Sequence, residues 1–199
     1  MNKRHLLLLL LLLLCVVSLS ACMNDHSEEG EQKSTEERGV AASSIKGGEA
    51  EGVTVTLINT DGKKVGTVFM EQLVHGVKMT LDATDLPPGS HGFHIHEKGV
   101  CELPDFESAG GHFNPTGSAH GFNELEGPHA GDLPNIEVAR SGMVKVEFIN
   151  ERVTLEEGKE HSLLDNGGTA IIIHSEADDY ESQPAGDAGE RIACGVIGK

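Results

Sequence analysis

The sequence predicts an all-β domain of about eight short strands, arranged as an antiparallel sandwich or flattened barrel with two long loops. Beyond residue 52, short apolar stretches recur with period two instead of the helical period. Turn-forming Gly, Asp and Pro stand between them. The chain has 25 glycines and no tryptophan, so the core must be built from Val, Ile, Leu and a few Phe.

The first predicted strand follows Gly52, where Val53, Val55 and Leu57 alternate with their neighbours up to the turn signal at 61–62. An Asp-Gly pair after such a run is typical of a hairpin. Seven further runs are predicted as strands: Val65–Met70, Val74–Leu81, Gly92–His96, Met143–Ile149, Arg152–Leu155, Ala170–His174 and Ile192–Ile197. No segment has a convincing helical period.

Two stretches do not fit this scheme, from Glu97 to about Arg140 and from Ser175 to Glu190. The first is rich in Gly, Pro, His and Asp and shows no alternation. A structureless connection of this length is uncommon in a compact domain and indicates function. We expect something other than sheet hydrogen bonds to fix it.

The N-terminus predicts a secretory signal peptide over residues 1–21. Lys3 and Arg4 precede an apolar run that is too short and too unusually flanked for a membrane span. Residues 19–22, Leu-Ser-Ala-Cys, resemble the bacterial lipobox, in which the signal is cut before the cysteine and diacylglycerol is joined to its sulfur. We therefore predict a lipoprotein, acylated at Cys22 with chains such as palmitate. An ordinary signal peptide that happens to contain a cysteine is the alternative.

Residues 22–50 are rich in Glu, Ser, Gly and Lys and predict a flexible tether, which leaves 51–199 as the folded domain. A surface helix is the weaker alternative for the tether. The formal charge is −17, and removal of Lys3 and Arg4 with the signal leaves 13 basic and 32 acidic residues, or −19. Such a surface excludes nucleic acid as a partner. It would also repel anionic lipid, so the acyl chains must hold the protein on the extracytoplasmic face of the cell membrane.

Export places the chain where disulfides persist. Of the four cysteines, Cys15 leaves with the signal and Cys22 would carry the lipid. Cys101 and Cys194 are then the only thiols in the folded region, and we predict that they form a disulfide. Two buried free thiols are the alternative.

A His-x-His pair stands in the predicted strand Gly92–His96. Because alternate side chains of a strand share a face, Phe93 and Ile95 can enter the core while His94 and His96 point together to the other side. Two neutral imidazoles on one face make half a metal site. A surface pair that binds nothing is the alternative when such a pair stands alone.

The first irregular stretch supplies more side chains of this kind, His112, His120, His129 and Asp132. Three histidines and an aspartate could complete a tetrahedral zinc site without an open position, as in a structural site. A metal there would order backbone that lacks a sheet partner. His174, at the end of an apolar strand, is the remaining candidate.

Four motifs in order carry a family resemblance: HGFHIHE (91–97), GGHFNP (110–115), HAGDLPN (129–135) and GERIACGVIGK (189–199). Any one of them would be weak, but the ordered set is highly specific. Residues 52–198 resemble the copper/zinc superoxide dismutase family, whose members share the sandwich architecture with Greek-key connections. The resemblance implies an enzyme that converts superoxide to dioxygen and hydrogen peroxide by copper redox cycling, with one copper and one zinc ion per subunit.

The resemblance also implies two sets of metal ligands that share one histidine. Copper would be bound by His94, His96, His112 and His174, and zinc by His112, His120, His129 and Asp132. Their shared His112 would store a proton during the reaction.

Two further roles are implied by the same motifs. Asp178 matches the carboxylate that hydrogen-bonds to one ligand of each metal. Arg191 matches the arginine beside copper, where a fixed cation can hold a small anion. From the residues alone, Asp178 could equally be an exposed acid and Arg191 a surface ion-pair partner.

Several features depart from the family pattern. Cys101 follows the first motif closely, as in bacterial members. The second irregular stretch holds six acidic residues and no lysine, so we expect weak electrostatic steering of superoxide and a slower enzyme, in which only Arg191 attracts the substrate. We assign His91 a structural role, and His75 and His161 surface or packing roles.

The alternative function is a non-catalytic copper- and zinc-binding surface protein that stores or delivers metal. The presence of all six histidines and Asp132 favours the enzyme. The sequence gives no indication of a homodimer.

Overall fold

The computed structural model describes residues 52–198, which form nine strands and two short 3₁₀ turns. The predicted all-β fold is confirmed. The predicted signal peptide, tether and Cys22 lie outside the described residues. The strands are β1 Gly52–Asn59, β2 Lys64–Gln72, β3 Val77–Ala83, β4 Gly89–His91, β5 Phe93–His96, β6 Ile136–Val138, β7 Val144–Asn150, β8 Thr169–His174 and β9 Arg191–Ile197.

Seven strands make one curled antiparallel sheet in the order β5-β8-β9-β1-β2-β3-β7, and β4 pairs with β6 in a second, two-stranded sheet. Neighbours such as β9 and β1 are far apart in sequence, so the chain crosses between strands as in a Greek key. Within residues 52–198, no helix has both the length and the apolar character needed to cross a membrane.

The sheet encloses one apolar core built from alternate residues. In β3, Val77, Met79 and Leu81 are buried, whereas the residues between them are more exposed, as the two-residue period of a strand requires. All six residues of β8 are buried because the outer face of this strand is also covered. On that side lies a smaller apolar cluster, here called the second apolar cluster, formed by Phe106, Ala109, Ala170, Ile172 and Cys194.

The predicted disulfide between Cys101 and Cys194 is confirmed, with the two Cα atoms 5.9 Å apart. Cys101 belongs to the first irregular stretch and Cys194 to β9. The bond therefore ties this stretch to the outer face of the large sheet, beside the second apolar cluster.

One predicted strand is wrong. Arg152–Leu155 forms a turn, and its β-type pairing is limited to one isolated bridge between Thr154 and Ser162. The apolar alternation arises because Val153 packs into the core. The Leu155 amide donates a hydrogen bond to the side-chain oxygen of Gln72, at 2.6 Å, instead of to a neighbouring strand.

One strand boundary also differs from the prediction, and two short strands are additional to it. The strand predicted from Val74 begins at Val77, because the preceding residues turn the chain and the Leu73 amide donates to the Gly76 carbonyl at 3.0 Å. Strands β4 and β6 were not predicted. Each has only three residues, too few for an alternation to be recognised.

The first irregular stretch is partly fixed by sheet-like hydrogen bonds, contrary to expectation. β5 is the edge of the large sheet, and its outer edge bonds to this stretch. The Ile95 amide donates to the Gly131 carbonyl and the Phe113 amide to the Ile95 carbonyl, each at 2.8 Å. A Cβ at Gly131 would collide with the Ile95 carbonyl, so glycine permits the approach. Two isolated bridges join the same segments, His94 to Asp132 and His96 to His112.

Candidate metal centre

Six histidines and Asp132 lie together where the first irregular stretch covers β5. Within β5, Phe93 and Ile95 belong to the main core, and His94 and His96 lie on the opposite face beneath the covering chain. Both histidines are therefore almost fully buried. His174 ends the neighbouring strand β8.

The first cluster, here called the four-histidine group, brings together the residues predicted to bind copper. One ring nitrogen from each of them lies within 4.8 Å of the others: His94, His96, His112 and His174. The Nε2 atoms of His96 and His174 are 3.4 Å apart. Four imidazole nitrogens are a donor set that suits Cu(II).

The second ring nitrogens explain why these imidazoles can act as ligands. Nδ1 of His96 lies 2.9 Å from the Gly110 carbonyl, and Nδ1 of His174 lies 3.2 Å from the Gly189 carbonyl. A carbonyl oxygen only accepts, so each Nδ1 must donate and each Nε2 keeps a free lone pair. Nδ1 of His94 is buried without a hydrogen-bond partner. A bound cation would satisfy it, so the residues fit the metal.

The second cluster, here called the histidine–aspartate group, contains the residues predicted to bind zinc: His112, His120, His129 and Asp132. The Oδ1 atom of Asp132 lies 2.8 Å from Nδ1 of His112 and 3.2 Å from Nδ1 of His129. Its Oδ2 lies 3.1 Å from Nδ1 of His120. Bond lengths of about 2.0–2.1 Å in a zinc tetrahedron imply edges of about 3.3 Å, so the spacing suits this ion.

The two groups meet at His112. Its Nδ1 faces Asp132, whereas its Nε2 is buried and has no hydrogen-bond partner. Nδ1 thus belongs to the histidine–aspartate group and Nε2 faces the four-histidine group. The assignment of copper to one group and zinc to the other stays a prediction.

Asp178 lies between a ring of each group. Its Oδ2 accepts from Nε2 of His94 at 2.8 Å, and its Oδ1 accepts from Nε2 of His120 at 3.0 Å. Both histidines are thereby left with Nδ1 for a metal. The exposed-acid alternative is wrong, since Asp178 is 3% exposed.

Two residues that sequence reasoning missed hold Asp178. The Nδ2 and Oδ1 atoms of Asn135 bond to its backbone carbonyl and amide at 2.8 and 2.9 Å. The Asn135 amide in turn donates to the hydroxyl of Tyr180 at 2.8 Å, and the Tyr180 amide donates to Asp178 Oδ1 at 2.7 Å. Asn135 ends the third motif, which was the available signal.

Burial and hydrogen bonds set the protonation states of the metal-free rings. Burial lowers the pKa of His112 to about 4 and that of His174 to about 3, so both are neutral at neutral pH. Burial also acts to lower the pKa of His120, but hydrogen bonds with Asp132 and Asp178 outweigh it and raise this pKa to about 9. Hydrogen bonds from the histidines hold the pKa of both carboxylates well below the usual range despite burial.

A cavity of about 560 Å³ opens onto this centre. His96, His112, His174 and Arg191 contribute to its lining. The guanidinium of Arg191 is fixed by the first irregular stretch, because Nη1 donates to the Phe106 carbonyl at 2.6 Å and Nη2 to the Gly110 carbonyl at 2.8 Å. Both acceptors are neutral carbonyl oxygens, so these hydrogen bonds fix the guanidinium without neutralising its charge. No ion pair within residues 52–198 involves Arg191.

The other histidines lie away from the two groups. Both ring nitrogens of His91 face carbonyls, those of His174 and Pro87, at 2.8 Å each, as its structural assignment requires. His75 and His161 line a different cavity, of about 680 Å³.

Fold and site together define an all-β protein with a curled antiparallel sheet and two adjacent groups of residues that could hold metal ions, joined by one histidine. The family model for copper/zinc superoxide dismutase (SODC) matches residues 64–197. The chain belongs to the copper/zinc superoxide dismutase family and is of the bacterial type.

Relatives in sequence and structure agree. A Cu-Zn superoxide dismutase of Aquifex aeolicus is 51% identical over 142 residues, which cover 71% of this chain and 84% of the relative. A superoxide dismutase-like protein of Bacillus subtilis is 48% identical over 145 residues, 72% of this chain and 74% of that protein. A crystal structure of a double mutant of a SOD-like protein from B. subtilis superposes with a TM-score of 0.72 at 47% identity, covering 73% of this chain and 97% of that one.

Proposed function

We propose that this chain is a superoxide dismutase that works outside the cytoplasm, held by a lipid at the membrane surface. The observation that carries the activity is the position of His112, which is common to both metal-binding groups and lines the same cavity as the fixed cation of Arg191. A protein that only stored metal would not need an anion-binding cation beside the four-histidine group.

When bound, copper supplies the one-electron redox chemistry and zinc, which has none, holds its ligands in place. The chain supplies the remaining functions. Arg191 attracts and orients the superoxide anion, since its guanidinium is fixed by two carbonyls. Nε2 of His112 faces the cavity side and can hold a proton for the product peroxide. Asp178 keeps His94 and His120 in the required tautomer.

The proposed location rests on the sequence of the N-terminal region. The lipobox-like residues 19–22 and the polar segment 22–50 are the features that favour a lipid anchor at Cys22 and a tether. The disulfide between Cys101 and Cys194 supports export, because such bonds persist in oxidising compartments.

Metal analysis together with a dismutase assay tests the activity. The purified protein should hold one copper and one zinc ion and remove superoxide. His112→Ala should lose activity and lower the content of both metals, whereas His75→Ala, a change at an exposed histidine on the other cavity, should alter neither. Full copper and zinc occupancy without dismutase activity would instead favour a metal storage or delivery protein.

Detergent phase partitioning of bacterial cells that express the chain tests the anchor. The unmodified protein should enter the detergent phase and incorporate labelled fatty acid, and Cys22→Ser should do neither. A Cys15→Ser variant is the matched control, because this residue precedes the proposed cleavage point. Equal labelling of the Cys22→Ser and unmodified proteins would refute the anchor.

A further inference from the structure

The mouth of the metal-centre cavity carries more negative than positive charge. Besides Arg191, its charged lining residues are Asp105, Glu107 and Glu190, and no lysine lines it. All three carboxylates are exposed. The three carboxylates and the one guanidinium together carry a formal charge of −2. Asp105 and Glu107 are also near enough to Arg191 to interact with it electrostatically.

None of these three carboxylates is held in a close ion pair within the part of the chain that the structure describes. Among the ion pairs of residues 52–198, none includes Asp105, Glu107 or Glu190. Within the same residues, the one hydrogen bond that their side chains accept is from the Glu107 amide to Oδ1 of Asp105, at 3.0 Å. Their charge therefore acts on whatever enters the cavity.

A second observation favours a cation as the ligand of this cavity. His112 lines the same cavity, its side chain is only 2% exposed, and its Nε2 has no hydrogen-bond partner. A buried lone pair of this kind is satisfied by a donated hydrogen bond, a proton or a metal ion, and no side chain of residues 52–198 supplies a hydrogen bond here. The carboxylates thus surround the entrance to a site that binds cations, although the substrate of the proposed reaction is an anion.

We propose that Asp105, Glu107 and Glu190 form an electrostatic entry route for Cu²⁺ to the four-histidine group, and that they slow the approach of superoxide to the same site. The inference rests on the proposed copper assignment. An entry route for Cu²⁺ explains why the mouth of the cavity repels the substrate. The acidic residues favour metal loading and weaken the attraction of superoxide. Arg191 then supplies the local attraction that superoxide needs.

Coulomb's law predicts both the sign and the ratio of the two effects. For a carboxylate about 10 Å from the approaching ion in water, its removal should slow Cu²⁺ association about fourfold. The same removal should speed superoxide association about twofold; both figures are for the absence of salt screening. The effect on Cu²⁺ is larger because this ion carries two charges. Salt should reduce both effects, since the screening length is about 10 Å at 0.1 M ionic strength.

The test compares the zinc-loaded, copper-free protein with Asp105→Asn, Glu107→Gln and the triple variant that adds Glu190→Gln. The amides keep the size of each side chain, and Asn retains the acceptor for the Glu107 amide. Stopped-flow absorbance follows binding of aqueous Cu²⁺ in a weakly coordinating buffer at low ionic strength. Superoxide decay then gives kcat/KM for each copper-loaded protein.

We expect the triple variant to bind Cu²⁺ at least about tenfold more slowly, with a weaker salt dependence, and to show a higher kcat/KM for superoxide. Its visible spectrum at copper saturation should match that of the unmodified protein, which shows that the ligands are intact. Glu160→Gln, an exposed residue that lines the other cavity, removes one charge from the chain and should change neither rate.

Equal Cu²⁺ association rates in the unmodified and triple-variant proteins would overturn the entry route, as would the same slowing in Glu160→Gln. A failure of the dismutase assignment can be told apart from a failure of the entry route, because Cu²⁺ binding is measured without turnover. If the triple variant slows Cu²⁺ binding but no protein removes superoxide, the entry route stands and the dismutase assignment fails.

Discussion

Removal of the disulfide should destabilise the domain strongly, because it closes a long loop. Cys101 and Cys194 are separated by 93 positions. The chain-entropy model gives about 4.6 kcal/mol for a loop of this length. For a domain of this size, that loss corresponds to a decrease in Tm of roughly 9–18 °C. The bond also anchors the stretch whose Phe106 carbonyl holds Arg191, so dismutase activity should decrease along with stability.

Urea titration of the metal-free protein, followed by circular dichroism, measures this loss. The Cys101→Ala/Cys194→Ala variant and the reduced unmodified protein should have the same midpoint, since both lack the bond. The comparison matters because Cys194 is fully buried, and a difference between the two would report the packing of its side chain. A decrease in the free energy of unfolding below about 1 kcal/mol in both would refute the loop-closure argument.

Three further predictions concern the site. Asp178→Asn should lower zinc affinity about 10–100-fold in a chelator competition, because Asp178 orients the ligand His120. The control variant Asp179→Asn, at the exposed neighbouring residue, should leave zinc affinity unchanged. Arg191→Lys should reduce kcat/KM for superoxide about tenfold, because a lysine cannot donate to both carbonyls and also present a fixed charge to the substrate. An unchanged kcat/KM would refute this role of Arg191. In the metal-free protein, the low pKa of His112, about 4, favours proton uptake on unfolding, so stability should fall as the pH drops from 6.5 towards 4. The high pKa of His120, about 9, has the opposite sign and removes stability as the pH rises from 6.5 towards 9, so urea midpoints should be highest near pH 6.5.

Much of the fold could be predicted because it depends on alternation within single strands. The pattern around Phe93 and Ile95 showed both that a strand was present and which face its histidines would take. The same reasoning failed at Arg152–Leu155, because packing of Val153 into the core produces alternation without a strand partner. Periodicity reports burial, and only tertiary contacts decide whether a buried alternating segment is paired.

The prediction of the site was limited in a related way. Motifs indicated which side chains could bind metals, but not the hydrogen bonds that orient them. The contact between Asn135 and Tyr180 joins the two irregular stretches across 45 positions, and no pattern within either stretch encodes it. The αL conformation of Tyr180, with φ of 63°, likewise follows from its surroundings.

The geometry of β5 links the fold to the site. Its inward residues build the core, its outward residues His94 and His96 belong to the four-histidine group, and its free edge bonds to the chain that supplies His112 and Asp132. An edge strand would otherwise expose unpaired backbone groups, which a protein must cover. The covering chain is the one that carries the histidine–aspartate group. The requirement to cover this edge therefore places both groups side by side, with His112 common to the two.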